Sequence, residues 1–251
     1  ATARVDAPRL FASIADAARP RLGEFSPQSL ANTALAFATV GYDAHELFAA
    51  IAAALPPRLD EFNARDLAMT AWAFACVDSK DADLFDALFE PRAAWASANE
   101  VDLAHLFPAT VHAQLEWPDR VHNNEAAMAY APAELREAYR RCRDLPATDR
   151  ARDVAAALDR IGWTHTVQHD TPEGFSLDMA QPESKRVFEA DGPSHFVRDL
   201  SSGQYVENGA TRFKSRLLRR LGWDVVTVPF FEWDRLAGAS DKDAYLSARA
   251  T

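Results

Sequence analysis

The stretch Phe25-Ser26-Pro27-Gln28-Ser29-Leu30-Ala31-Asn32-Thr33-Ala34-Leu35-Ala36-Phe37-Ala38 returns 37 residues later as Phe62-Asn63-Ala64-Arg65-Asp66-Leu67-Ala68-Met69-Thr70-Ala71-Trp72-Ala73-Phe74-Ala75. Leu47-Phe48 and Leu84-Phe85 keep the same offset. A weaker third copy begins near Asn99, with Leu103, Ala104, Leu106 and Phe107 in corresponding but slightly slipped positions. Recurrence at this period is the mark of stacked units, each burying its apolar face on the next. The spacing predicts two helices per unit. Ser26 and Asn63 stand as N-caps, and Leu30, Ala34, Phe37 and then Leu67, Ala71, Phe74 recur at helical intervals. The second helix of each unit is expected over residues 44–55 and 82–89. The alanines let paired helices approach closely, and Phe37, Trp72 and Phe74 are expected in the core. The architecture expected over residues 1–115 is an α-solenoid of helical hairpins.

Working outward, the pattern lapses over residues 116–124, around Pro118. A helix over residues 132–143 follows, carrying Arg136, Arg140, Arg141 and Arg143, and residues 116–148 are expected as a helical connector. From Asp149 to Ile161 an amphipathic helix puts Val154, Leu158 and Ile161 on one face, with Gly162 at its C′ position. Beyond Gly162 the period becomes that of strands: residues 163–167, 175–179 and 186–191, separated by Pro- and Gly-containing turns, are expected as a meander. Gly209-Ala210-Thr211 is expected to cap a helix with Phe213, Leu217 and Leu221 on one face. Gly222 stops it before a strand over 223–228. Residues 149–251 therefore read as an α/β domain, and the fold class as α plus α/β.

Hydrophobic residues make up 48% and charged residues 25% of the 251, which is a globular balance and excludes a disordered chain. No apolar run approaches the ~18 residues that a membrane-crossing helix needs, so no membrane insertion is expected. Cys76 and Cys142 stand apart with no CxxC or Cys/His cluster around them, so neither a disulfide framework nor a structural zinc site is expected, and a reducing compartment is. The sequence begins at Ala1, so a targeting peptide is not visible in it. The net charge of −10 argues against binding nucleic acid over the whole surface. That charge is uneven: 14 basic and 16 acidic residues follow position 145, leaving 13 and 21 before it. The repeats are thus suited to protein partners more than to a phosphate backbone.

Chemistry concentrates in the α/β part. Glu189 and Asp191, two apart on one strand, point to the same face about 7 Å apart, and the neighbouring strand brings Asp178 beside them. Three converging carboxylates are what a hard cation such as Mg2+ takes, and that ion positions water against a phosphodiester. The turn at Gly192-Pro193 swings His195 back as acid, base or phosphate contact. The alternative is that the carboxylates pair with arginines or cap turns at the sheet edge. Further on, Arg212, Lys214, Arg216, Arg219 and Arg220 place five positive charges in nine residues, and the helix N-terminus offers amides to a phosphate. The alternative there is a solvated helix face. Phe196, Tyr205 and Phe230 are rings that can stack on bases or pack in a core.

The runs Phe175-Ser-Leu-Asp178, Val187-Phe-Glu189-Ala-Asp191-Gly192-Pro193-Ser194-His195-Phe196, Thr211-Arg-Phe-Lys214-Ser-Arg216-Leu-Leu218 and Gly222-Trp223 to Trp233 together resemble a RAP domain, an RNA-binding module abundant in apicomplexans. The resemblance covers roughly residues 149–236. The upstream units resemble the octotricopeptide and FAST-kinase-like helical repeats that precede RAP domains in organellar RNA-metabolism proteins. RAP domains in turn are similar to the restriction-endonuclease-like fold, notably its very-short-patch-repair branch. This implies metal-binding positions at Asp178, Glu189 and Asp191 and an auxiliary catalytic position at His195. The sequence departs from the common nuclease pattern, which ends its third-strand motif in Lys where Asp191 stands here.

The resemblance implies an organellar RNA-binding protein, mitochondrial in preference to plastid, acting in RNA processing, stability or rRNA and ribosome assembly. RNA would be held at Arg212, Lys214, Arg216, Arg219, Arg220, His195 and Phe196, with protein partners on the acidic repeats. One alternative is a non-catalytic structural subunit of a large organellar assembly such as the mitochondrial ribosome. Another is an endoribonuclease with Mg2+ as cofactor and Asp178, Glu189, Asp191 and His195 as its catalytic set.

Overall fold

The computed structural model describes residues 5–6, 8–120, 132–143, 146–200 and 202–250. Part of the expected connector, residues 121–131 and 144–145, lies outside them. In chain order the elements are β1 (Val5–Asp6), α1 (Pro8–Ala18), α2 (Pro27–Val40), α3 (His45–Ala54), α4 (Ala64–Cys76), α5 (Ala82–Phe89), α6 (Glu100–Glu116) and α7 (Pro132–Arg143). They continue with α8 (Asp149–Arg160), β2 (Thr166–Asp170), β3 (Ser176–Gln181), β4 (Arg186–Asp191), β5 (Phe196–Asp199) and β6 (Tyr205–Glu207). The last are α9 (Gly209–Arg220), β7 (Asp224–Pro229), α10 (Phe230–Trp233) and α11 (Ala239–Ser247). The chain is thus mostly helical with a small mixed sheet towards its C-terminus. It divides into two compact units, Ala1–Cys142 with Phe196–Lys214, and Arg143–His195 with Ser215–Thr251.

In the first unit the 37-residue period is visible in the elements themselves. The pair α2 and α3 and a short 3-10 helix (Pro56–Glu61) is repeated by α4, α5 and Ala93–Ser97. Each first helix has the expected cap: the Ser26 hydroxyl accepts from the Ser29 amide at 3.1 Å, and the Asn63 side chain from the Asp66 amide at 2.8 Å. Asn99 starts α6 with a reciprocal box, its side chain taking the Asp102 amide while the Asp102 carboxylate takes the Asn99 amide. Helix α4 packs against α2 on one side and α6 on the other. Ala31, Ala34 and Ala38 of α2, Ala68, Ala71 and Ala75 of α4, and Ala109 of α6 have no exposed surface. Phe37 and Phe74 are buried as expected, whereas Trp72 is only half-buried, edge-on to Phe213 at 6.0 Å.

The structure also contains a copy that the sequence reading did not find. Helix α1 and the 3-10 helix Arg19–Glu24 precede α2 as α3 and Pro56–Glu61 precede α4. Leu10-Phe11 matches Leu47-Phe48, and Pro20-Arg21-Leu22 matches Pro57-Arg58-Leu59. In this copy Leu10 and Ile14 are 58% and 43% exposed, against 1% and 0% for Leu47 and Ile51. At the other end α7 buries Leu135, Ala138 and Tyr139, and the Tyr139 ring lies 4.8 Å from that of Phe107. A small sheet in the order β1-β5-β6 completes this unit.

In the second unit Thr148 caps α8, Gly162 takes the left-handed backbone after it (φ 74°), and the sheet runs β2-β3-β4-β7. The expected meander is present: β2 to β3 and β3 to β4 are antiparallel, while β4 to β7 is parallel with Glu189 opposite Thr227. Strand β2 begins three residues later than the aromatic run suggested. The Trp163 amide is spent on the Leu158 carbonyl, and its ring packs edge-on to Phe188 at 4.9 Å. Val154, Ala157 and Leu158 of α8 meet Met179, Phe188, Ala190 and Val228 of the sheet, and Trp233 and Leu246 close the core. Each of these larger side chains stabilises by roughly 1.5–3 kcal/mol on burial.

Asp153 ties this packing together, accepting from the Trp233 indole at 2.8 Å and the Lys242 ammonium at 2.6 Å. Burial alone raises its carboxyl, but the hydrogen bonds from Lys242 and Trp233 and the Lys242 charge outweigh that and hold it below the usual carboxylate range. A depressed folded-state value means stability that is present above the unfolded value and lost as pH falls through the folded one. Asp153→Asn is therefore expected to lower stability at pH 7 by about 1 kcal/mol, a modest figure because the group is partly solvated. Thermal unfolding should show the difference from the parent shrinking as pH falls below the carboxylate range.

Candidate nucleic-acid interface

Phe188 and Ala190 belong to the core against α8, so alternation along β4 turns Glu189 and Asp191 to the opposite face. The register Met179↔Phe188 puts Asp178 on that face too. The structure thus gathers the three expected carboxylates on one side of one sheet. Beyond Met179↔Phe188 the β3–β4 ladder stops, and the Asp178 Oδ2 accepts the Ala190 amide at 2.8 Å. Glu189 and Asp191 are buried, at 6% and 3% exposure.

The turn after β4 does what its sequence predicts. Gly192 leads into a single 3-10 turn, Pro193–His195, closed by the His195 amide on the Gly192 carbonyl at 3.0 Å. It brings the His195 Nδ1 to 2.8 Å from the Asp191 Oδ1, an imidazole half open to solvent resting on a buried carboxylate. A residue that the sequence reading did not single out, Arg150 at the start of α8, stands beside this turn: its Nη1 lies 3.5 Å from where a Cβ on Gly192 would be. Arg150 also grips Asp234 through two nitrogens, at 2.8 and 3.3 Å. A lone arginine 41 positions upstream of the motif carries no sequence signal for this placement.

One oxygen of Asp178 takes a backbone amide and one of Asp191 takes His195, so each carboxylate keeps a second oxygen. Among the described residues, the trio whose ligand atoms all lie within 4.8 Å of one another is Asp78, His112 and Glu116 of the first unit, not the strand carboxylates.

Helix α9 carries the basic run. At 100° per residue Arg212, Arg216, Arg219 and Arg220 share one arc, while Lys214 projects from the other side, half-buried between Phe213 and the buried Leu217 and Leu218. Arg212, Arg219 and Arg220 are exposed. Two expectations are corrected. The N-terminus of α9 does not offer open amides to a phosphate: the buried Asn208 accepts the Thr211 amide at 2.9 Å, and a Cβ on Gly209 would fall 1.7 Å from the Ala38 carbonyl oxygen. Nor is Phe196 a stacking platform, because at 4% exposure its ring is core; Tyr205, at 38%, is the more open ring. Arg212, meanwhile, donates to the Gly41 carbonyl at 2.6 Å, at the negative end of α2.

Comparison with known proteins agrees with the motif reading. Residues 188–249 match the family model of the RAP domain. A RAP domain-containing chloroplastic protein of Oryza sativa subsp. japonica is 37% identical over 76 residues, which is 30% of this chain. The chain spans about a tenth of that relative's length, the matched part being 11% of it. The upstream helical units lie outside the family match.

Gly209→Ala tests whether the start of α9 is a packed joint or an open anion pocket. The packed joint predicts a loss of about 3 kcal/mol in chemical denaturation, because backbone on both sides must shift. An unchanged midpoint would restore the pocket.

Proposed function

We propose that this chain is the RNA-binding part of an organellar protein, with an α-solenoid of helical hairpins over residues 1–115, a connector to 148 and a restriction-endonuclease-like RAP domain over 149–251. The observation that carries the proposal is the RAP match over residues 188–249, a segment that contains the arginine arc of α9. The 37-residue recurrence of paired helices supports the solenoid. A meander followed by a parallel fourth strand reached through a helix supports the nuclease-like fold. The compartment is an organelle; the rice relative's name places that protein in the chloroplast, which lends the expected mitochondrial preference no support. The process served is RNA processing, stability or rRNA assembly. Phosphates would be held chiefly by Arg219 and Arg220, with Arg216 beside them and His195 at the carboxylate face.

Binding without turnover is the form of this function favoured here, since Asp191 stands where the common nuclease pattern carries the lysine that helps to activate water. A scaffold subunit of a large organellar assembly is the second reading, favoured by the excess of acidic residues before position 145.

Fluorescence anisotropy with organellar RNA across a salt series tests this. Binding should weaken steeply with salt, and Arg219→Ala and Arg220→Ala should each flatten the slope by about one unit. Interaction insensitive to salt, or none, would move the assignment to the scaffold. Mg2+-dependent cleavage that is lost in Asp191→Asn would instead establish the endoribonuclease.

A further inference from the structure

The corner that ends α2 and the corner that ends α4 have the same backbone but not the same residue. Gly41 closes α2 at φ 79°, and 37 residues later Asp78 stands in the left-handed region at φ 60°. An L side chain is strained there, and strain kept at one corner of a repeat marks a place where the side chain matters. Here it is a carboxylate.

Two more donors arrive from α6. His112 and Glu116, one helical turn apart, share a face, and one ligand atom each from Asp78, His112 and Glu116 lies within 4.8 Å of the others. His112 is completely buried, and its Nδ1 lies 3.9 Å from the Asp78 Oδ1. On the far side of the ring its Nε2 is 3.0 Å from the Ser79 carbonyl oxygen. A carbonyl can only accept, so Nε2 carries the proton and, in the neutral ring, Nδ1 presents a lone pair towards the carboxylates. An imidazole fixed by a backbone carbonyl at one nitrogen with the other aimed at carboxylates is the arrangement that metal-bound histidines adopt. Phe85, Trp117 and Phe213 wall the ring at 5.4, 6.0 and 6.4 Å between centroids.

Three electron-pair donors facing one another call for a cation. The Lys80 ammonium supplies one, 2.9 Å from the Asp78 Oδ1 and 2.6 Å from the Glu116 Oε1. We propose that Asp78, His112 and Glu116 form a binding site for a divalent ion of the zinc class, and that the Lys80 ammonium competes with the metal for the same two carboxylates. One imidazole nitrogen with two carboxylate oxygens suits zinc and its neighbours, whereas Mg2+ and Ca2+ prefer oxygen alone. Three protein ligands leave a fourth position for water. The bound ion would fasten the corner after α4 to the last turn of α6, joining successive helical units.

The test uses the full chain, treated with chelator and titrated with zinc while bound metal and melting temperature are measured. One equivalent is expected to bind and to raise the melting temperature, with no response to Mg2+. Lys80→Ala removes the competing cation and should tighten zinc binding by about tenfold. Asp78→Gly, which restores the residue used at the preceding corner and so spares the fold, should abolish the zinc response, as should Glu116→Gln. An ion-pair network and nothing more is the conclusion if neither the parent nor Lys80→Ala binds zinc, or if the response survives Asp78→Gly and Glu116→Gln.

Discussion

Close approach of α2, α4 and α6 through alanine is the constraint on which the first unit depends. Ala68, Ala71 and Ala75 of the middle helix have no exposed surface, and larger side chains there would push its neighbours apart. The larger apolar groups are therefore moved to the second helices, where Leu47, Phe48 and Ile51, or Leu84, Phe85 and Leu88, fill the space beside the seam. This division of labour sets the period: one small-residue helix, one large-residue helix and a 3-10 turn.

Close packing has a second consequence, at the carbonyl ends of the helices. Carbonyls at and just beyond the helix ends are left without partners inside the helix. Three are met by side chains from further along the chain: the Cys76 thiol donates to the Ala38 carbonyl at 3.4 Å, Arg212 to that of Gly41, and His112 to that of Ser79. Cys76 and His112 sit 36 residues apart in successive units, so one position of the repeat is kept for a side chain that reaches back to the preceding corner. Arg212 has the same duty from outside the repeats. Its charge is thus partly explained by α2, which is why Arg219 and Arg220 are better phosphate candidates.

The sequence made the repeat legible where an entire unit was present, since Leu, Ala, Thr, Phe and the cap all recur in Phe25–Ala38 and Phe62–Ala75. It hid the copy at α1 because only Leu10-Phe11 and Pro20-Arg21-Leu22 repeat the later units, too few identities to stand out. On the sheet, β4 was legible because its alternation is long and its turn carries Gly and Pro. Strands β5 and β6, of four and three residues, were not: pieces that short bear no period of their own. The start of α9 was misread because several adjacent residues can cap. Asn208 takes that role, and Gly209 is needed only because Ala38, far away in sequence, lies against it. The Asp78, His112 and Glu116 cluster has no local spacing at all apart from the one helical turn between its last two members.

The carboxylate face of β4 shows how far chemistry can be read from residue type alone. Alternation guaranteed that Glu189 and Asp191 share a side, but it does not say what their charges rest on. Buried carboxylates are tolerated only with compensation, and a hydrogen bond to a charged group contributes about 1.5–3 kcal/mol. Asp191 finds it in His195, and Asp178 in the Ala190 amide where the ladder stops. Both contacts fix the chain at the point where it leaves the sheet: one holds the strand end, the other the turn over Gly192 and Pro193. A carboxylate engaged in this way still has a second oxygen, so holding the turn and meeting a ligand are compatible duties. The first is carried by bonds already in place, and it is sufficient to account for a motif in which acid, glycine, proline and histidine follow one another so closely.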